Sequence, residues 1–514
     1  MPESISFYTF GGINAADEPL SLLQRSHRRT DGGWEQYAPA EASSAKNVTF
    51  DQRALAKRIG STLIDDSSSV HAASETILGG FAVGAEQWLV GAKSLYRKAS
   101  GGSWAIAQAS GGGNFAWDST VAVWSACYLD GYVFVGTDGA NNEIACVNPG
   151  SVTLRPEMKN ANTYTEQYSG TNTMTGTWPT GCKIVVAFQG RLCMCTGDSI
   201  VQFTDVDQPW DLAGGGFWQF HGDTVALKTF IPRGQNELLE RLFGFTVNGL
   251  QILSGFDGND TPFRMEGVGV PLSHRSVEAI QNWLVYPTEQ QTIEAVNLYR
   301  VIDLGRRMLN GDGTTGPLDN LSPGNSTHRT KGFSFYDRRK KQWRYYGPDG
   351  ASRSYNTMAW GMDFQLEEPG LDEGQNTFEQ HVRPLWDTLT APGTNPWFVG
   401  IYQAINTIVG VTADGKTYTV NSGLNDKDSL AIEDNWDTPE IYGAPPDHGM
   451  HFMKQSLRSD DRGDWELDVQ YAKEGDPSFT DLYSFTQAAQ GSAFIGSAIV
   501  GTSTLGDGGR AKGT

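Results

Sequence analysis

Eight histidines, five cysteines and 59 acidic residues are the raw material for chemistry in this chain, and their spacing assembles none of the familiar reaction centres. The histidines are scattered, with no His-Glu-x-x-His pair to hold a catalytic zinc. The cysteines stand at 127, 146, 182, 193 and 195, without a Cys-x-x-Cys pair. An odd number without that pair argues against both a disulfide framework and a zinc site, and for reduced thiols buried in strands. No phosphate-cradling glycine loop, no Gly-x-Gly-x-x-Gly turn and no Gly-x-Ser-x-Gly elbow occurs. Two carboxylates flanking a glycosidic bond would need a defined separation, which spacing along a chain of short strands cannot single out. Asp257-Gly258-Asn259-Asp260 and Asp312-Gly313 are oxygen-rich turns, but neither continues to the distal glutamate of a calcium loop. The expectation is therefore a chain with no catalytic residue, no metal and no cofactor.

One basic cluster stands out against this background. Arg338-Arg339-Lys340-Lys341 lies between Phe333-Ser334-Phe335-Tyr336-Asp337 and Gln342-Trp343-Arg344-Tyr345-Tyr346. Cations interleaved with aromatics can stack on and clamp a nucleic acid. Here the aromatics fall at strand spacing on either side of a turn, so the run reads as a solvated hairpin tip. It is the best local candidate for contact with phosphates or an acidic partner.

The elements that would carry these residues are strands. Only 19 % of residues are charged, glycine reaches 61, and Trp, Phe and Tyr number 15, 24 and 18, the mixture of a β-rich protein full of tight turns. Helical periodicity is nearly missing: residues 236–243 (NELLERLF) read as a helical turn or two, or equally as a loop entering a strand. Apolar runs meet at Asp130-Gly131, Gln189-Gly190, Asn248-Gly249 and Asp414-Gly415. These pairs predict hairpins over 121–135, 183–194, 242–253 and 408–420 with the positive φ angles of a type I′ turn. Gly131, Gly190 and Gly249 recur at a constant interval, slightly longer than the usual propeller blade of about 40–50 residues. A four-stranded blade cannot bury both faces alone, so such blades stack around an axis. The reading is all-β: a β-propeller of about six blades, with seven allowed, carrying Gly415 as a further turn glycine. Residues 1–46 read as an extended arm, 47–430 as the propeller, and 431–514 as a small C-terminal β segment completing or flanking it. Within that segment a hairpin is expected between 453–457 and 465–471, across a near-Asp-box turn, Ser459-Asp460-Asp461-Arg462-Gly463-Asp464-Trp465. That box is a turn-stabilising device and carries no chemistry.

The charge balance is 39 basic against 59 acidic residues, net −20, which disfavours ordinary nucleic-acid binding. The N-terminal stretch MPESISFYTF lacks a basic start and an apolar core, so no secretory signal is expected.

Three segments resemble a known family. Phe10-Gly11-Gly12-Ile13-Asn14 is followed by Asn47-Val48-Thr49-Phe50-Asp51 and Leu55-Ala56-Lys57-Arg58-Ile59-Gly60. Gly190-Arg191-Leu192 leads to Ile200-Val201-Gln202-Phe203-Thr204-Asp205-Val206-Asp207-Gln208-Pro209-Trp210. Asp223-Thr224-Val225-Ala226-Leu227 then precedes Phe243-Gly244-Phe245-Thr246-Val247-Asn248-Gly249-Leu250-Gln251-Ile252-Leu253. Together they are similar to tail nozzle proteins of short-tailed bacteriophages and related virion propellers, in the same order over roughly residues 7–305. The resemblance implies a non-enzymatic virion protein, made in the host cytoplasm and assembled as a hexameric ring below portal and adaptor. The ring would continue the DNA-ejection channel and close its tip. Its partners would be further copies of itself, the tail adaptor, tail fibres or spikes, the host envelope, and double-stranded DNA passing without specific binding. The alternatives are a tail-tip or host-contact virion propeller, and a carbohydrate-binding or carbohydrate-cleaving propeller, the latter motivated by the near-Asp-box and the tryptophans.

Overall fold

The computed structural model describes residues 59–71, 75–231, 240–255, 263–305, 331–348, 356–363, 385–390 and 397–422, apart from 159–161, 167–169, 281–282 and 299. It also gives the backbone of short strands between residues 10 and 57 and between 435 and 512. The chain divides into two compact units, Met1–Pro439 and Glu440–Thr514.

In the first unit, alternating apolar runs separated by glycine turns form seven four-stranded antiparallel blades. The innermost strands are Ile77–Val83, Trp124–Leu129, Ile184–Phe188, Thr224–Phe230, Glu278–Ile280, Phe333–Asp337 and Phe398–Gln403. Blades 1 to 6 each build outward in chain order, so blade 1 runs through Glu86–Gly91 and Leu95–Lys98 to Trp104–Ile106. Blade 7 has three strands from the end of the propeller, Phe398–Gln403, Ile408–Thr412 and Lys416–Val420. Its fourth and outermost strand, Ser61–Asp66, comes from before blade 1 and pairs antiparallel with Lys416–Val420. That pairing closes the ring, and it is the link a reading by local hairpins cannot see, because its partners lie some 350 residues apart.

Side-chain alternation sends the two faces of each strand to different neighbours. In blade 3, Met194 packs with Phe134 and Cys146 of blade 2, while Cys193 and Cys195 pack with Leu227 and Leu242 of blade 4. Similar apolar seams join blades 1 and 2, 4 and 5, 6 and 7, and 7 and 1. At the last of these, Tyr402 of blade 7 lies among Ile77, Leu89 and Tyr96 of blade 1 and donates its hydroxyl to Gln87 at 2.8 Å.

Polar clamps reinforce the seams. Glu86 in blade 1 is bound by the Arg97 guanidinium on the neighbouring strand and accepts the Gly150 N–H of blade 2 at 2.9 Å. Burial pushes the Glu86 carboxyl up, but the Arg97 hydrogen bond and charge, with the Gly150 amide, bring it below its ordinary value.

The arm is partly seated on its own propeller. Ser44–Lys46 lies against the outer strand of blade 6, Leu385–Thr390, in a parallel bridge, and Asn435–Asp437 pairs on its other side. Blade 6 thereby becomes a six-stranded sheet. Phe10–Ile13 pairs with Ala40–Ala42, and Val48–Asp51 with Ala54–Lys57. In the second unit, Ser456–Arg458 pairs with Arg510–Lys512, and Trp465–Tyr471 with Thr480–Gln487. The expected 453–471 hairpin is therefore corrected: its two strands belong to different pairings, and the near-Asp-box turn at 459–464 lies outside the described residues.

Two outcomes follow. Deleting residues 1–40 leaves the closing strand in place, so urea unfolding should stay cooperative with a midpoint near that of the full chain. Deleting residues 1–66 removes the fourth strand of blade 7 and should broaden the transition and expose the chain to limited proteolysis. In the second test, Glu86→Gln is compared with the parent across pH. Because the folded Glu86 carboxyl sits below its ordinary 4.5, its contribution is present above that value and is lost as the pH falls through the folded value. The stability gap between the two proteins, read from melting midpoints, should be open at pH 7 and close as the pH drops below about 4.5.

Candidate functional site

Near the propeller axis several ionisable side chains, Lys228, His274, Arg275 and Glu278, are half-buried. The inner edge of each innermost strand has no further strand to pair with, so its N–H and C=O groups need other partners. Three inner strands carry a one-residue bulge near their start, at Leu78, Val225 and Val399. Bulges break the ladder locally and re-aim a carbonyl. Between blades 4 and 5 the chain makes a short 3-10 turn, His274–Ser276, with Ser273 capping it through a reciprocal Ser273–Ser276 pair of hydrogen bonds. This turn supplies the partners. Arg275 donates from Nη1 to the Leu78 carbonyl of blade 1 at 3.0 Å and from Nη2 to the Val399 carbonyl of blade 7 at 2.8 Å. Its guanidinium lies over the Trp124 ring of blade 2 and the Phe333 ring of blade 6, at 4.7 and 5.3 Å from their centroids. A residue held between blades 4 and 5 that reaches blades 6, 7, 1 and 2 must lie across the axis.

The rest of the turn is tied in the same way. The His274 Nδ1 accepts the Leu227 N–H of blade 4 at 3.3 Å. Ser273 donates to the Gly332 carbonyl at 2.9 Å, and Ser334 of blade 6 donates to the Ser276 carbonyl at 2.6 Å. Trp124 Nε1 shares the Leu78 carbonyl at 3.0 Å, and Ser125 accepts the Val185 N–H of blade 3 at 2.8 Å. Glycine is required where the guanidinium passes: a Cβ on Gly79, whose φ is +150°, would lie 2.7 Å from Trp124 Cζ2 and 3.0 Å from Arg275 Nη2.

Charge is perturbed around this plug. Burial brings the Arg275 guanidinium down to about 10. Burial, then the Lys228 and Arg275 charges, hold His274 well below its ordinary value, so the imidazole is neutral. Lys228, on the inner strand of blade 4, is lowered by burial against the pull of Glu278, and Glu278 is raised by burial despite Lys228 and Arg338.

The turn glycines occupy two kinds of place. Gly131 and Gly190, at φ +81° and +75°, follow Asp130 and Gln189 at positive φ, and each joins the first and second strands of its blade. Gly249 and Gly415, at φ +114° and +83°, join second and third strands, and among the described residues neither Asn248 nor Asp414 has positive φ. The type I′ expectation is corrected at these two. The constant interval from Gly131 to Gly249 is likewise not a structural period, because Gly249 is not equivalent to the other two. Inner strands begin instead at residues 77, 124, 184, 224, 278, 333 and 398, an irregular spacing.

Arg338-Arg339-Lys340-Lys341 forms the first turn of blade 6, with Asp337 Oδ1 accepting the Arg339 and Lys340 N–H groups at 3.0 and 3.2 Å and Lys341 at φ +54°. Arg338 is exposed, and its charge opposes the burial-driven rise of the Glu278 carboxyl. Four of the five cysteines are buried and Cys127 is half-buried. Burial pushes Cys195 up to about 11 and Cys146 to about 12, and raises the others further, which makes them poor nucleophiles. Residues 236–239 and both oxygen-rich turns, 257–260 and 312–313, lie outside the described residues; 241–243 are strand. Sequence reasoning passed over Lys228, His274, Arg275 and Glu278. The only local signal was a basic pair inside an otherwise apolar and serine-rich connection, Pro271-Leu272-Ser273-His274-Arg275-Ser276-Val277.

No protein-family model and no curated protein matches the chain. Among solved structures, the WD40 β-propeller domain of Doa1 aligns over 70 % of this chain and 96 % of its own at 9 % identity and a TM-score of 0.40. The computationally designed Ika8 protein aligns over 80 % of this chain and 100 % of its own, at 9 % and 0.36. A chain of the mitotic checkpoint complex aligns over 76 % and 98 %, at 11 % and 0.37.

Arg275→Leu leaves the Leu78 and Val399 carbonyls without their charged donor, and should cost about 2–4 kcal/mol of unfolding free energy. Arg275→Lys should recover little of it, since an ammonium cannot fork between two carbonyls while stacking on Trp124. Urea denaturation reads both; an Arg275→Leu midpoint equal to the parent's would remove the plug from its structural role.

Proposed function

We propose that this propeller is a structural protein of a bacteriophage tail, the nozzle subunit of a hexameric ring that continues and closes the DNA-ejection channel below portal and adaptor. The observation that carries the reading is where the family-like segments fall. Gly190-Arg191-Leu192 and residues 200–210 make the first turn, second strand, third strand and following turn of blade 3. Residues 223–227 and 243–253 make the inner strand and the next hairpin of blade 4. Two of the three similar segments thus form consecutive blades, while the first supplies Phe10–Ile13 and the Val48–Asp51/Ala54–Lys57 hairpin that precede the propeller.

Their roles are those of a scaffold. The Asp207 N–H donates to the Gly190 carbonyl at 2.8 Å, Arg191 Nη1 donates to the Thr204 carbonyl at 2.8 Å and reaches Asp205 at 3.3 Å, and the Asp205 N–H donates to the Asp211 carbonyl at 2.8 Å. Asp211 then accepts the Thr175 hydroxyl and the Gly214 N–H. Such residues are constrained by the need to build one rigid turn. Blades of this kind suit a subunit that transmits load and presents loops to neighbours. With Arg275 across the axis, DNA would travel through the lumen of the ring and not through the propeller. The net charge of −20 suits a wall along which DNA slides without sticking. Further contacts with adaptor, fibres or spikes, and host envelope belong to the same reading, as does a non-enzymatic role within the virion.

Electron microscopy of the purified protein and of particles containing it provides the test. A six-fold ring with an axial lumen, seated at the tail, supports the proposal. A monomeric propeller absent from particles overturns it, and turnover of a chromogenic glycoside would favour the carbohydrate-cleaving alternative.

A further inference from the structure

We propose that copies of this chain associate through opposite faces of the propeller, the first turns of blades 6 and 7 on one copy seating against the second turns of blades 3 and 4 on the next. The proposal takes from the nozzle reading only that the partner is a second copy. In a four-stranded antiparallel blade the first turn, between strands one and two, lies on one face of the disc. The second turn and the connection to the next blade lie on the other face, where the inner strands begin and Arg275 bonds the Leu78 carbonyl. Residues 338–341 and 404–407 are first turns, 196–199 and 247–248 are second turns, and 220–223 connect blade 3 to blade 4.

On the first face, Arg338, Arg339 and Lys341 are exposed on a turn whose backbone Asp337 holds. At the first turn of the next blade, Ile405 is 61 % exposed, on a turn closed by the Ala404 N–H to the Thr407 carbonyl at 2.8 Å and braced by Gln403 Nε2 on the Ala404 carbonyl at 2.7 Å. A single exposed isoleucine is ordinary. Beside three exposed cations, in a chain whose net charge is −20, it defines a patch whose complement is apolar and acidic. The opposite face carries that complement. Asp198 and Asp223 are exposed there, with Val247 51 % and Ile200 39 % exposed beside them. The four are tied into one surface: the Ile200 N–H donates to Asp198 Oδ1, the Thr224 N–H to the Asp198 carbonyl and the Val247 N–H to the Asp223 carbonyl, each at 3.0 Å. Asp118, Glu266 and Asp414 are also exposed on this face, against Lys93. The two patches differ and lie on opposite faces, so the contact is heterologous: it closes as a ring if the rotation per copy allows, and otherwise continues as a filament. Apolar contact at Ile405 and Val247 supplies affinity, and the charges set which faces meet.

Analytical ultracentrifugation of the full chain over a concentration series should show self-association that weakens as salt is raised. Arg338→Glu with Arg339→Glu, and separately Asp223→Lys with Val247→Lys, should each weaken it tenfold or more while leaving the melting temperature near the parent's, since all four side chains are exposed. Mixed in equal amounts, the two reversed proteins should associate again: the acidic turn of the first meets the basic face of the second, and the basic turn of the second meets the acidic face of the first. A single chain carrying all four changes should do the same. Ile405→Ser should weaken association and leave its salt dependence in place. Electron microscopy of the assembled parent separates this inference from the ring reading. Open filaments that respond to the charge swaps support the inference and overturn the hexameric ring. A ring that survives both reversals overturns the inference and leaves the ring reading standing, and a monomeric parent overturns both. The inference is also overturned if the mixed proteins stay apart. Weakening by the turn reversal alone overturns it as well, because the turn's cations would then be answered by other acids, such as Glu367 and Glu368 of the same chain.

Discussion

Seven inner strands present their free edges to one axis, and the fold depends on how those edges are satisfied. The outer edge of a blade can face water; the inner edge faces the axis, where no further strand pairs with it among the described residues. In this chain the solution is a single connection, residues 273–277, folded across the axis. Arg275 takes the carbonyls of Leu78 and Val399, His274 takes the Leu227 amide, and Ser273 and Ser334 bind the turn to blade 6. Arginine is suited to the task because its planar fork can serve two acceptors while its faces lie on aromatic rings. The seam between blades 7 and 1 is also the closure of the ring, so the residue that fills the axis binds the first blade to the last. Closure is thereby made twice, once at the rim by Ser61–Asp66 and once at the hub by Arg275.

Much of this architecture was legible in the residues, and the parts that were not share a physical cause. Alternating apolar runs around Asp130-Gly131 and Gln189-Gly190 located hairpins to within a few residues, because strand alternation and positive-φ turn chemistry are local properties. The blade count was left open between six and seven since the seventh blade is completed by a strand from the far end of the chain. The apparent period of the turn glycines misled for a related reason. A glycine signals a turn but not which turn, and Gly249 joins second and third strands where Gly190 joins first and second. The 453–471 hairpin failed because two adjacent strand-like runs need not pair with each other. The axial cluster was invisible because its members come from residues 228, 274, 275 and 278, which only the winding of blades around one axis brings together.

The distribution of charge is a second consequence of the winding. A net charge of −20 repels anions at long range, and it does so at the surface, where salt screens it. Near the hub Lys228 and Arg275 are half-buried, and burial lowers the pKa of both. Low-dielectric surroundings lengthen the reach of each charge there.

A hub bridged by Arg275 also constrains how any propeller of this kind could belong to a conduit. The plug residues bond backbone carbonyls of two blades and stack on rings from two others, so opening the axis would break both hydrogen bonds and both ring contacts together. Each charge-assisted bond is worth about 1.5–3 kcal/mol, and the opened strands would expose bulged, unpaired edges. Transport through the blade axis would thus require dismantling the hub. Transport past the propeller requires only that several copies stand around a common lumen, which leaves each hub intact. The rigidity that disqualifies the axis as a channel is what would let a ring of such subunits keep its lumen at fixed diameter under load.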